Sequence, residues 1–184
     1  MEHLSDIELY FTPKELVKEN QLILTGDEFH HSVNVMRNSV GEKIFVTDGN
    51  GSILTSEITS ISENQLNANI KDRIILENKT SNIWFCVPIL KNPDRLKFAF
   101  EKCVELGITN FILSNGKYTI PKKLNPDKFQ KTALAAMKQS LRAFLPRITS
   151  ASITEIIHCD GVKVIFEQKS KLEFDGQVDN DKPT

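Results

Sequence analysis

Gln139 and Arg142 stand three positions apart, with Lys138 beside them and Arg147 just beyond Pro146. Three positions is about one helical turn, so the two side chains share a surface. The Gln139 amide can read or orient a base edge, and the Arg142 guanidinium can clamp a phosphate through two N–H groups. A second polar set lies upstream, where Glu101, Lys102 and Glu105 fall within little more than a turn and Gly107 closes the run. A solvated amphipathic face explains the same residues, because a helix followed by Leu-Gly and a strand is common in α/β proteins. His30-His31 has the composition of a metal pair. Adjacent side chains diverge on a helix, however, and no third ligand is close in sequence, so no metal is expected. A surface or RNA-facing role fits them better. Arg37, near the end of that helix, either complements the helix dipole or touches phosphate.

These groups need elements to hold them. Short runs rich in Ile, Leu, Val, Phe and Thr at 21–24, 43–47, 52–61 and 65–72 are strand-like. Asp48-Gly49-Asn50-Gly51 joins two of them as a hairpin, since glycine and asparagine accept positive φ. One short helix interrupts them, with Asp27 as its expected N-cap and Phe29, Val33 and Met36 on one face before Gly41. Several short strands in about 55 residues point to a small, partly closed barrel. After the polar stretch 77–82 the rhythm changes. The apolar run 83–90 is expected to be a strand buried on both faces. Asn92 and Pro93 then start a helix that Gly107 ends, and 108–113 is the next strand. Asn125-Pro126 opens a helix running to about Phe144, with Met137, Leu141 and Phe144 as its apolar stripe. Ser152 and Glu155 form a capping box before a short helix, and 162–167 is expected as the third strand. Strand–helix–strand–helix–strand implies a parallel sheet covered by helices.

Hydrophobic residues make up 40% of the chain, enough for a real core. No apolar run approaches the ~18 residues that would span a bilayer. Three cysteines, Cys86, Cys103 and Cys159, are odd in number and far apart, which fits a reducing cytoplasm and gives no metal signature. The net charge of −1 hides a segregation. Residues 1–75 carry 6 Lys+Arg against 12 Asp+Glu, residues 76–150 carry 13 against 5, and residues 151–184 carry 4 against 7. The basic middle block is where phosphate contacts are expected, although lysines that merely solvate helix faces would give the same count. No Gly-x-Gly-x-x-Gly or P-loop is present, so neither nucleotide fold is supported.

The run Lys91-Asn92-Pro93-Asp94-Arg95 leading to Glu101–Gly107, the set 135–142 closed by Pro146-Arg147, and His30-His31 with Val35-Met36-Arg37 together resemble the RsmE family. These are methyltransferases of the SPOUT class that methylate N3 of a uridine in 16S ribosomal RNA. The resemblance covers roughly 27–167. It implies an α/β protein with a PUA-like RNA-binding β-barrel at 1–76, a linker at 77–82 and a partial SPOUT methyltransferase domain at 83–184. The family's glycine-rich methyl-donor segment is not in this chain, so the SPOUT-type domain is expected to lack its C-terminal knot. The resemblance further implies S-adenosyl-L-methionine as donor for the full-length protein, a homodimer, and the small ribosomal subunit or its RNA as partner, with no membrane and no metal. Arg142 is the candidate catalytic residue. RNA contacts are expected from His31, Arg37, Lys91, Arg95, Lys102, Lys138, Gln139 and Arg147. The cofactor-binding residues are not identified, and the chain alone is expected to bind the donor weakly. After residue 113 the family shows an acidic-Arg-Ser turn, where this chain has Ser114-Asn115-Gly116-Lys117-Tyr118. The alternative from a different class is a non-catalytic RNA-binding module.

Overall fold

The computed structural model describes residues 7–115 and 127–166. Lys117, the opening Asn125-Pro126 of the third helix, Glu167 and the acidic tail lie outside them. The first half is a curled five-stranded sheet of β1 (Leu9–Phe11), β2 (Gln21–Thr25), β3 (Lys43–Thr47), β4 (Ser52–Ile61) and β5 (Gln65–Ile75), in the order β1-β3-β4-β5-β2. β1 runs parallel to β3, and every other pairing is antiparallel. Register shifts at Thr55/Ser56 and Ile58/Ser60 bend β4, which lets a sheet this small curl. Its core holds Tyr10, Leu22, Leu24, Ile44, Val46, Leu54, Ile58, Leu66 and Ala68. Alternation explains the selection: the even positions 44 and 46, 22 and 24, and 66 and 68 share one face of their strands.

The expected hairpin between β3 and β4 is present. The Asp48 carboxylate accepts from the Asn50 and Ser52 amides at 2.8 and 3.0 Å, and Gly49 and Gly51 take φ of 71° and 100°. β1 went unrecognised because three residues carry too little pattern to register. The helix after β2 begins two residues earlier than expected. α1 (Gly26–His30) has Thr25 rather than Asp27 at its N-cap, and a π-helical turn at His31–Val35 extends it. That wider turn rotates the face, so Phe29 and Val33 reach the core while Met36 is left exposed.

The second half is a three-stranded parallel sheet, ordered β6 (Trp84–Pro88), β7 (Asn110–Ser114) and β8 (Arg147–Ser150), with crossover helices α2 (Pro93–Glu105) and α3 (Asp127–Gln139). Asn92 caps α2 as expected, its side chain accepting from the Asp94 and Arg95 amides at 2.9 and 3.2 Å, with Pro93 in the first turn. Phe100, Phe111, Val104, Leu113 and Met137 are the largest fully buried side chains of this core. α4 (Ile153–His158) starts with the expected capping box, Ser152 and Glu155 bonding each other's backbone amides.

Three expectations about this half are corrected. The third strand is 147–150 and not 162–167: residues 162–166 pair with neither sheet, and Ile165 and Phe166 are exposed. β6 is not buried on both faces. It is an edge strand on which Val87 alone is fully buried, while Trp84 and Phe85 are exposed. α3 stops at Gln139 rather than near Phe144. Leu141 takes φ of 53°, and the Arg142 and Leu141 amides bond the Met137 and Lys138 carbonyls at 2.9 and 3.1 Å. This is a Schellman ending with leucine where glycine is usual, and it turns Leu141 out of the stripe that Met137 anchors.

The polar stretch between the sheets is pinned in place. The Thr80 hydroxyl donates to the Gly107 carbonyl at 2.6 Å, and the Asn78 amide donates to the Thr109 hydroxyl at 3.1 Å. Asn92→Ala leaves two α2 amides without their acceptor and is expected to cost about 1 kcal/mol. Urea unfolding measures it, and an unchanged midpoint would mean that water replaces the cap.

Candidate functional site

The two polar sets are brought together at the C-terminal ends of α2 and α3. The Arg142 Nε and Nη2 donate to the Glu105 carbonyl at 3.0 and 2.6 Å. That oxygen is one of the orphan acceptors every helix leaves at its end, where a cation also complements the dipole. Gly107, with φ of 95°, takes a conformation that favours glycine, and the Arg142 guanidinium lies 3.5 Å from where a Cβ would stand, at ordinary van der Waals contact. Lys102 donates to both carboxylate oxygens of Glu105 at 2.8 Å, along the same helix.

Lys138, next to Gln139, turns toward the first half. Its ammonium donates to both oxygens of Glu28 at 2.8 and 2.9 Å, with side chains only 17% and 13% exposed. Glu28 also accepts from the Phe11 amide at 3.0 Å. Glu28 was missed in the sequence: it is an ordinary first-turn acid of α1, and its partner stands 110 positions away. Tyr10 lies under the same lysine, 6.0 Å from its ammonium, and accepts at its hydroxyl from the Asn38 amide at 2.9 Å. Burial pushes the Tyr10 phenol above its ordinary range, so the ring stays neutral.

Other expected contact residues fall elsewhere. His31 bonds Glu8 at 3.0 Å against the Tyr10 ring. Arg37 is exposed, with φ of 61°. Lys91 and Arg95 are exposed at the start of α2, and Gln139 is exposed at the end of α3. Arg147 opens β8 with its guanidinium 5.4 Å from the centre of the Trp84 ring, a cation–π arrangement. Lys102, Lys138 and Arg142 thus spend donors on intramolecular partners, whereas Arg37, Lys91, Arg95 and Gln139 have none among the described residues.

At the carboxyl end of the central strand β7, the Ser114 hydroxyl and the Asn115 side-chain oxygen are buried without a hydrogen-bond partner among the described residues. Buried polar atoms are seldom left so, and the carboxyl ends of parallel strands are where α/β sheets receive ligands. This donor and acceptor pair fits a polar small molecule carrying hydroxyl, amino or carboxylate groups. Among the described residues no group of three His, Cys, Asp or Glu side chains can hold a metal ion, and no helix is long and apolar enough to cross a membrane.

Comparison with known proteins matches residues 24–71 to an RNA methyltransferase PUA domain and residues 77–180 to an RNA methyltransferase domain. The chain is 25% identical over 176 residues to ribosomal RNA small subunit methyltransferase E of Bacillus subtilis, covering 87% of this chain and 67% of that protein. It is 26% identical over 137 residues to the protein of the same name in Rickettsia conorii, covering 74% and 56%. A predicted RNA methyltransferase of Thermotoga maritima superposes with a TM-score of 0.67 at 26% identity, over 79% of this chain and 66% of that one. A ribosomal RNA small subunit methyltransferase E of Neisseria gonorrhoeae, solved with S-adenosyl methionine, shares the fold with a TM-score of 0.69 at 22% identity, over 82% and 64%. The chain therefore spans between about half and two thirds of its relatives' own lengths.

Lys138→Ala leaves the Glu28 carboxylate buried with one backbone donor and is expected to cost about 3–5 kcal/mol. Removing both charges, as Glu28→Gln with Lys138→Met, should cost less than that single change. Chemical denaturation of both variants measures the difference. A cost below about 1 kcal/mol for Lys138→Ala would show that the pair is solvated.

Proposed function

We propose, from the premise that this chain belongs to the RNA methyltransferase family, that the protein of which it is part methylates N3 of a uridine in 16S ribosomal RNA with S-adenosyl-L-methionine as donor. The observation that carries this reading is the tandem match of a PUA domain and a methyltransferase domain, both of RNA methyltransferase type, in a single chain. The names of the relatives support the small-subunit substrate, and the uridine N3 position follows from the RsmE resemblance. A 1–76 RNA-gripping unit, a 77–82 linker and an 83–184 catalytic unit belong to the same reading, as do the cytoplasm and a homodimer.

S-adenosyl-L-methionine supplies the methyl group when bound, and Ser114 and Asn115 would meet its polar edges at the end of β7. Uracil N3 carries a proton at neutral pH and is a poor nucleophile, so transfer needs that proton removed or the developing imide anion held. Arg142 is the candidate for holding it. Nε and Nη2 are anchored on Glu105, which fixes the plane of the guanidinium and leaves Nη1 for another acceptor. Arg37, Lys91, Arg95 and Arg147 are the proposed phosphate contacts, and the exposed Gln139 amide reads or orients a base edge. His31, Lys102 and Lys138 hold these elements through Glu8, Glu105 and Glu28, which gives them a supporting place in RNA binding. The alternative of a non-catalytic RNA-binding module shares the phosphate contacts but transfers no methyl group.

The test is methyl transfer by the complete protein to small-subunit RNA, with the product nucleoside identified by mass spectrometry. N3-methyluridine is expected, and RNA binding without any methylated nucleoside would favour the module. Arg142→Ala should lower transfer tenfold or more while unfolding free energy shifts by no more than about 1 kcal/mol. Undiminished transfer by that variant would leave Arg142 as a helix cap alone.

A further inference from the structure

We infer that the first half carries a receptor for one unstacked pyrimidine base, a cavity of about 170 Å³ bordered by Glu8, Tyr10, Met36, Asn38, Lys43 and the adjoining Ile44-Phe45. The inference rests on the RNA reading above and names a subsite within it. Three observations independent of that reading converge on this place. The first is volume: a cavity of about 150 Å³ is enough to take a benzene ring, so this one takes a single six-membered ring and not a base pair. The second is the hydrogen-bond inventory. Asn38 spends its two amide hydrogens on the Tyr10 hydroxyl at 2.9 Å and the Ser32 hydroxyl at 3.0 Å. Its carbonyl oxygen has no partner among the described residues, so Asn38 is left with acceptor capacity, which an imide or amino N–H of a base satisfies.

The third observation is the backbone. The segment leading to Asn38 contains the π-helical turn His31–Val35 and then Arg37 at φ of 61°. Both conformations are sparsely used, and both concentrate at functional sites. Their effect here is concrete. They turn Met36 outward, 47% exposed, beside an exposed arginine. A thioether and the Phe45 ring offer apolar contact to a base, and the exposed Arg37, between the bordering residues Met36 and Asn38 in the chain, is the proposed contact for the following phosphate. The Lys43 ammonium lies 5.0 Å from the centre of the Phe45 ring, and the Glu8 carboxylate borders the same cavity, so the site is suited to a neutral base rather than to a phosphate. The base is unstacked of necessity, because a paired or stacked one would not enter a single-ring cavity.

The experiment titrates the full 184-residue chain with a labelled uridine-rich oligoribonucleotide and with one of equal length whose residues are abasic. Binding of the abasic strand should be weaker by about fivefold or more, the loss expected for one base contact. Met36→Ala and Phe45→Ala should weaken binding of the uridine strand while leaving the abasic strand unchanged, and Met36, being exposed, can be changed without unfolding the chain. Uridine monophosphate should shift the Met36 methyl signal in NMR and leave that of the buried Met137 in place. Equal affinity for the two strands would overturn the receptor and leave the methyltransferase reading intact. Failure of both strands to bind would overturn the receptor as well, and methyl transfer by the complete protein would then decide separately whether the methyltransferase reading survives.

Discussion

A carboxylate and an ammonium, Glu28 and Lys138, meet almost out of water at the junction of the two sheets, and the relative placement of everything else follows from that contact. Neither charge could be left there alone, since an unpaired buried ion is far costlier than an exposed one. Glu28 is further held by the Phe11 amide, so one side chain ties together α1, β1 and the end of α3. Such a pair contributes little net stability compared with apolar residues of the same shape. What it supplies is geometry: it fixes where the end of α3, with Gln139 and Arg142, lies relative to the curled sheet.

The junction is then filled by apolar contact and backbone bonding. Tyr10 and Phe11 are neighbours on β1 and so point to opposite faces, Tyr10 into the first core and Phe11 against the second. The chain leaving α3 returns to the β3–β4 hairpin, where the Gly51 amide donates to the Ala143 carbonyl and the Leu145 amide to the Gly49 carbonyl, each at 2.9 Å. The hairpin glycines are required twice over. Both take positive φ, and a side chain at Gly51 would lie within 2.7 Å of the Phe144 ring. A turn that serves the first sheet is therefore also a docking surface for the second.

How much of this could be read in advance follows from range. Local signals were legible: the Asn92-Pro93 start, the Gly107 stop, the Ser152–Glu155 capping box and the Asp48–Gly51 turn each act within a few residues. So did the strands at 43–47 and 52–61, whose alternation and composition are strong. β1 and β8, with three and four residues, are too short to show a pattern, and they are strands only because β3 and β7 offer them edges. The early end of α3 was hidden because Leu141 gives no sign of adopting the left-handed conformation. The candidate residues were found by type and spacing. The partners that separate an anchored cation such as Arg142 or Lys138 from an exposed one such as Arg95 lie tens of residues away, and only the fold brings them together.

The Glu28–Lys138 contact couples the two halves, and calorimetric unfolding of the chain tests that directly. The intact chain should melt in one transition, with calorimetric and van't Hoff enthalpies equal, and Glu28→Gln should split the melt into two. A single undivided transition in the Glu28→Gln variant, at an unchanged temperature, would show that the halves are coupled without the ion pair and would contradict the account.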